Sequence, residues 1–211
     1  MTAETGAIAG ITPARRTQKA ATRQRVLAAA RELFDTHGYQ GTTIREIARH
    51  AGVAVGSVFT TFASKGEILS EVMQDRLDTL YAEFDRVLPH LRGSTADRLR
   101  TLFGVFIEFE AQHMHLFLSH IAAAYDWTLT PEARPFGRAV RLQAILRDCL
   151  AKGVEEGDVR PDADLDQIVH QLKAVYAWSY SFVVSDGAGV KEQTAFMDRQ
   201  IGLIADGFRP R

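Results

Sequence analysis

At 211 residues the chain has room for one large or two small domains with a sizeable core, and 46% hydrophobic against 24% charged residues is ordinary for a soluble globular protein. No apolar run approaches the ~20 residues that cross a bilayer, and the short run at 7–11 has no basic residues ahead of it, so neither a membrane segment nor a secretion signal is expected and the expected location is cytoplasmic. A single cysteine, Cys149, excludes an internal disulfide and a thiolate metal cluster. The formal net charge of −1 hides a partition: residues 1–65 hold nine Lys or Arg against four acidic residues, which is +5 and leaves −6 on the remainder. A basic head of this kind suits a phosphate polymer, whose counterions it can release.

Residues 1–13, rich in Ala, Gly and Thr, are expected to form a disordered extension. Arg15 and Arg16 then read as a basic arm at the start of a first domain spanning 14–65. Within it, residues 42–62 read as two short helices hinged at a glycine. Ile44, Ile47, Ala48 and Ala51 recur at helical spacing, and Val55, Val58, Phe59 and Phe62 repeat the pattern after the corner, so two apolar stripes can pack together. Gly52 suits the left-handed position that ends the first helix, and Val53 can tuck beneath the turn. Thr43 with Glu46, and Ser64 with Glu67, have the spacing in which two residues cap each other's backbone amides. This is a helix-turn-helix. Its outer face carries Gly56, Ser57, Thr60 and Thr61, small groups that allow close approach to base edges and phosphates.

Gly38-Tyr39, Thr42 to Ala48, Ala51-Gly52-Val53, Gly56-Ser57-Val58-Phe59-x-x-Phe62 and Ser64-Lys65-x-x-Ile68-Leu69 resemble the N-terminal signature of the TetR family of transcriptional regulators, over about residues 20–75. The resemblance implies an all-helical homodimer, with three DNA-binding helices per subunit and a larger helical domain that binds a small inducer and pairs with its twin. It places Thr43 on a phosphate at a helix N-terminus, Arg45 on a base edge or phosphate, Gly56, Ser57, Thr60 and Thr61 in the groove, and Lys65 on a phosphate. Phe59 and Phe62 read as core. Three positions depart from the family pattern. Ala54 replaces a capping residue, Val55 replaces a polar or basic one and can touch a thymine methyl but make no bidentate base contact, and Phe59 replaces a tyrosine whose hydroxyl reaches a phosphate.

Beyond residue 65 the helical period continues through six further segments, at about 65–88, 95–112, 113–124, 135–156, 164–184 and 192–207, separated by Gly, Pro and Asp. No alternating strand pattern interrupts them, so 66–211 reads as helical, and the resemblance implies that it is the ligand-binding and dimerisation domain. Phe103, Phe106, Phe117, Tyr125, Trp127 and Trp178 make the bundle aromatic-rich, with Glu110, His113, Arg141 and Gln171 as orienting groups for an apolar or aromatic effector. The last two segments are apolar on most of their circumference and so need covering on two sides. A four-helix bundle across a two-fold axis would bury Val169, Tyr176, Tyr180, Val183, Met197, Ile201, Ile204 and Phe208, and would space two recognition helices for a palindromic operator.

His113, His115 and His120 scatter around a helix with no carboxylate to complete a set, so no metal or other cofactor is expected. The expected function is a ligand-responsive repressor, with duplex DNA, a small effector and a second copy of itself as partners, and with the segment from Lys65 as the coupling lever. The rivals are a helical-bundle ligand carrier or enzyme without DNA function, and a helix-turn-helix that binds only protein. Against the enzyme stands the lack of a Ser/His/Asp assembly or phosphate-cradling glycine loop.

Overall fold

The computed structural model describes residues 13–124 and 140–210, with side chains described from 17–122 and 140–210. The described residues form nine α-helices and one 3-10 turn, without a strand among them. These are α1 (Pro13–Gly41), α2 (Ile44–His50), α3 (Val55–Phe59), α4 (Lys65–Val87), the 3-10 turn Leu88–His90, α5 (Thr95–Ala111), α6 (Met114–Ala124), α7 (Val140–Glu156), α8 (Leu165–Asp186) and α9 (Val190–Phe208). The chain is all-α, as its periodicity predicts. It divides into two compact units that meet in sequence between Val72 and Met73.

In the first unit, α1 buries Val26, Ala29, Ala30, Leu33 and Phe34 along one face, each large one contributing ~1.5–3 kcal/mol relative to exposure. Gly38, at φ 71°, breaks the helical path, and Tyr39 then packs on Phe34 with ring centroids 5.4 Å apart. Thr42 is buried at this corner and donates its hydroxyl to Gly38 O at 2.8 Å and Leu33 O at 3.1 Å. Carbonyls left open where α1 breaks are thereby satisfied. Ile47, Ala48, Val58, Phe62, Ile68, Leu69 and Val72 complete this core.

In the second unit α5 packs on α7 and α9, and α8 packs on α7 and α9. The core is built from Leu99, Leu102, Phe103, Phe106 and Ile107 of α5, Leu146 and Leu150 of α7, Leu172 of α8, and Ala205 of α9. Ser94 and Asp97 form a full capping box on α5. Asp158 adds a second anchor there, accepting the Thr95 amide and hydroxyl, while its own amide and that of Val159 donate to Gly153 O. Helix α7 is described from Val140, and residues 135–139 of the expected helix lie outside the described residues. Helix α8 runs to Asp186 and is closed by Gly187 at φ 64°, later than the periodicity predicts.

One expectation is overturned here. Val169, Tyr176, Tyr180, Met197, Ile201 and Phe208, read from the sequence as dimer contacts, are interior to their own chain, and only Val183 and Ile204 keep part of their surface. A helix apolar all round shows that both sides are covered, but not which side its own subunit covers. Trp178, 65% exposed, and Leu203, 66% exposed, occupy the outer sides of α8 and α9 instead.

Candidate nucleic-acid interface

Helix α2 starts at a complete capping box. The Thr43 hydroxyl accepts the Glu46 amide at 3.2 Å, and the Glu46 carboxylate takes both the Thr43 amide and its hydroxyl proton at 2.8 Å. Those hydrogen bonds to Thr43 hold the exposed Glu46 carboxyl below its ordinary pKa. In this structure both donors of Thr43 go to the Glu46 carboxylate, so the residue caps α2. The second box, at α4, is offset: the Glu67 amide donates to Ser64 Oγ as expected, but the carboxylate takes the amide of Ala63 instead of Ser64.

The corner between α2 and α3 closes through Gly52, at φ 63°. Its amide donates to Arg49 O at 3.2 Å and that of Val53 to Ala48 O at 3.0 Å, the paired bonds of a glycine-ended helix. Helix α3 then begins without a side-chain cap, because Ala54 has no acceptor; the absent cap is worth ~1 kcal/mol. Val58 and Phe62 are buried, whereas Val55 is 37% exposed and Phe59 58% exposed. Phe59 is therefore not core, contrary to its sequence reading. It follows Val58 directly, about 100° round the helix, so the ridge that sends Val58 and Phe62 inward turns Phe59 outward.

Between these two apolar groups, Gly56 is exposed, and a Cβ there would meet nothing within 4 Å. Ser57 and Thr61 are half-buried and Thr60 is exposed; both threonine hydroxyls donate back to Ser57 O, at 3.0 Å for Thr60 and 2.8 Å for Thr61. Arg45 and Arg49 stand exposed on α2. Arg25 reaches Gly52 O at 3.5 Å, and Arg23 pairs with Glu71 and lies 5.0 Å from the Phe62 ring centroid. Arg15 and Arg16 lie on α1, with side chains outside the described residues.

Lys65 is held by backbone carbonyls at the start of α4. Its ammonium donates to Tyr39 O at 2.7 Å and Thr42 O at 2.9 Å, and sits 4.2 Å from the centre of the Tyr39 ring. Burial pushes its pKa below the ordinary lysine value. Two of its three donors thus fasten the corner between α1 and α2, a job that sequence spacing does not reveal.

In the second unit the expected effector residues separate into groups. Phe103, Phe106 and Phe117 are buried together with Tyr176 and Tyr180, with centroids of 5.4 Å for Phe103–Tyr176, 5.6 Å for Phe106–Tyr176 and 4.7 Å for Phe117–Tyr180. Glu110 is interior and accepts from Arg76 at 2.9 Å; burial pushes its carboxyl pKa up, and Arg76 opposes that. The tyrosine hydroxyls meet at 2.6 Å, and Gln193 donates to Ser179 at 2.9 Å in the same interior. Sequence reading missed Arg76, Ser179 and Gln193, and it assigned Tyr176 and Tyr180 to the wrong face. His113 is half-buried, whereas Arg141, Gln171 and Trp178 are exposed and do not join the cluster. Arg141 instead pairs with Asp85 over the Tyr81 ring. Tyr125 and Trp127 lie outside the described residues.

The pattern for bacterial regulatory proteins of the tetR family matches residues 26–72, which contain the whole of this capped, glycine-cornered assembly. The chain is 32% identical over 158 residues to the HTH-type transcriptional repressor KstR2 of Mycobacterium tuberculosis, an alignment covering 72% of this chain and 76% of that protein. Its fold is similar to the TetR-family repressor FadR of Thermus thermophilus, crystallised with lauroyl-CoA, at a TM-score of 0.71 and 27% identity over 90% of this chain and 96% of that one. FadR of Bacillus subtilis, in complex with stearoyl-CoA, shares the fold at a TM-score of 0.69 and 17% identity, over 88% of this chain and 99% of that one. The chain belongs to the TetR family of bacterial transcriptional regulators.

Proposed function

We propose that this regulator is a repressor that binds a two-fold symmetric duplex as a homodimer and is released by an apolar acyl effector, of which a coenzyme A thioester is the first candidate. The observation that carries the DNA reading is the outward side of α3. Gly56 costs the helix ~0.5–1 kcal/mol relative to alanine, yet among the described residues nothing comes within 4 Å of the place a Cβ would take. A glycine without an internal reason fits close approach by something outside the chain. Arg45 and Arg49 supply positive charge nearby, and the arm at Arg15 and Arg16 adds to it. Thr60 and Thr61 contribute lone pairs more than protons, since both hydroxyls are already donating, while Ser57 brings a hydroxyl of its own. Acting on chromosomal DNA, the protein would work in the bacterial cytoplasm as a regulator rather than a catalyst.

The effector reading rests on the lauroyl-CoA bound by the Thermus relative and on the buried aromatic cluster of this chain. An acyl chain would pack among Phe103, Phe106, Phe117, Tyr176 and Tyr180, and the Arg76–Glu110 pair would be disturbed by its arrival. Arg76 belongs to α4, the helix that runs through the junction at Val72 and Met73. A change in its packing in the second unit is therefore passed along one helix to the first. For pairing, the exposed faces of Trp178 and Leu203 replace the buried set read from the sequence.

The test is selection of duplex fragments from a random pool with the full chain, followed by titration of the bound duplex with lauroyl-CoA. Enrichment of a two-fold symmetric sequence and its release by the thioester are expected. Failure to enrich any duplex removes the DNA reading; enrichment with no response to acyl-CoA of any chain length removes the effector reading alone.

A further inference from the structure

Val55 and Phe59 stand four residues apart on α3, so they share one ridge of the helix. Single apolar groups on a surface are ordinary. Here two adjoin, on a helix of five residues whose other outward positions have little to donate to a base. Gly56 has no side chain, the hydroxyl protons of Thr60 and Thr61 just beyond α3 are committed to Ser57 O, and the half-buried Ser57 is the one position of α3 with a hydroxyl to offer. What α3 holds out to its partner is a small nonpolar edge. In the major groove, the distinctive nonpolar feature is the C5 methyl of thymine, while cytosine presents an amine at N4. Set against the Phe59 ring, that amine would lose water and gain no acceptor.

Resting on the DNA-binding reading above, we propose that Val55 and Phe59 select thymine in each half-site by its C5 methyl, and that this contact, not a hydrogen bond from α3, sets sequence preference there. Attraction and rejection then act together: a T·A pair gains a methyl contact with the ridge, and a C·G pair strands a donor against it.

The experiment uses the full chain and a duplex that it selects from a random pool. Each thymine is replaced in turn by deoxyuracil, which keeps every hydrogen-bonding group and removes only the methyl. At the thymines facing α3, affinity is expected to fall about fourfold per methyl, and about fifteenfold when both half-sites are altered. In Phe59→Ala the same replacements should have little effect, whereas Phe59→Leu, which keeps an apolar contact, should remain sensitive. Because Phe59 lies outside the core, both variants should melt as the parent does, which thermal unfolding verifies. If the parent binds every deoxyuracil duplex as tightly as the thymine duplex, or if Phe59→Ala loses as much as the parent does, the inference is overturned while the regulator reading stands. If no duplex is selected at all, both fall.

Discussion

His120, on α6 beside Phe117, is 6% exposed, and burial pulls its pKa down to about 4 from an ordinary 6.5. The folded protein therefore refuses a proton that the unfolded chain accepts between pH 6.5 and about 4. Stability from this group is intact above that window and is lost as pH falls through it, by up to ~1.4 kcal/mol per pH unit. Denaturant titrations at pH 7 and pH 5 should show a smaller acid penalty in His120→Leu than in the parent. Glu110, whose pKa burial pushes the opposite way, is common to both proteins and cancels in the comparison. Lys65 gives a second test. Lys65→Met leaves the Tyr39 and Thr42 carbonyls without their charged donor and should cost ~2 kcal/mol of stability, while leaving the salt dependence of duplex binding nearly unchanged. A flattened salt slope with unaltered stability would return Lys65 to a phosphate. The contrast with Thr43 explains what could be read in advance. The Thr43–Glu46 box joins residues three apart and is legible in the sequence, whereas the acceptors of Lys65 lie 26 and 23 residues earlier in the chain and emerge only when α1 turns at Gly38.

Among the described residues beyond 65, helix type and approximate extent were legible because the 3.6-residue period is a local property. Orientation was not. The stripe Val55, Val58, Phe59, Phe62 contains two ridges, and only packing against the rest of the first unit decides that Val58 and Phe62 point inward. The same ambiguity moved Tyr176 and Tyr180 from an imagined interface into the aromatic interior. At the joint of α5 and α7, Gly153 tests an element contact that no periodicity exposes. A Cβ there would press on Thr95 Oγ1 and lie 2.6 Å from Val159 Cγ2 and 2.7 Å from Asp158 Oδ1. Gly153→Ala should therefore cost ~1–3 kcal/mol through overpacking, despite alanine's better helix propensity. Chemical denaturation decides it, and a variant as stable as the parent would mean the Asp158 anchor yields freely.

At the scale of the whole molecule, α8 and α9 expose Trp178, Val184 and Leu203. A second copy placed there fits the symmetric operator proposed above, and Leu203→Glu should shift light scattering at micromolar concentration from dimer towards monomer without unfolding the chain. A parent that scatters as a monomer would remove this pairing surface. Trp178 adds an optical consequence. The protein has two tryptophans, and with Trp127→Phe in place the remaining indole sits on the face that pairing would shield. If pairing covers that face, its emission would shift to longer wavelength on dilution as subunits part and water reaches the ring, so this variant would gauge self-association without any label.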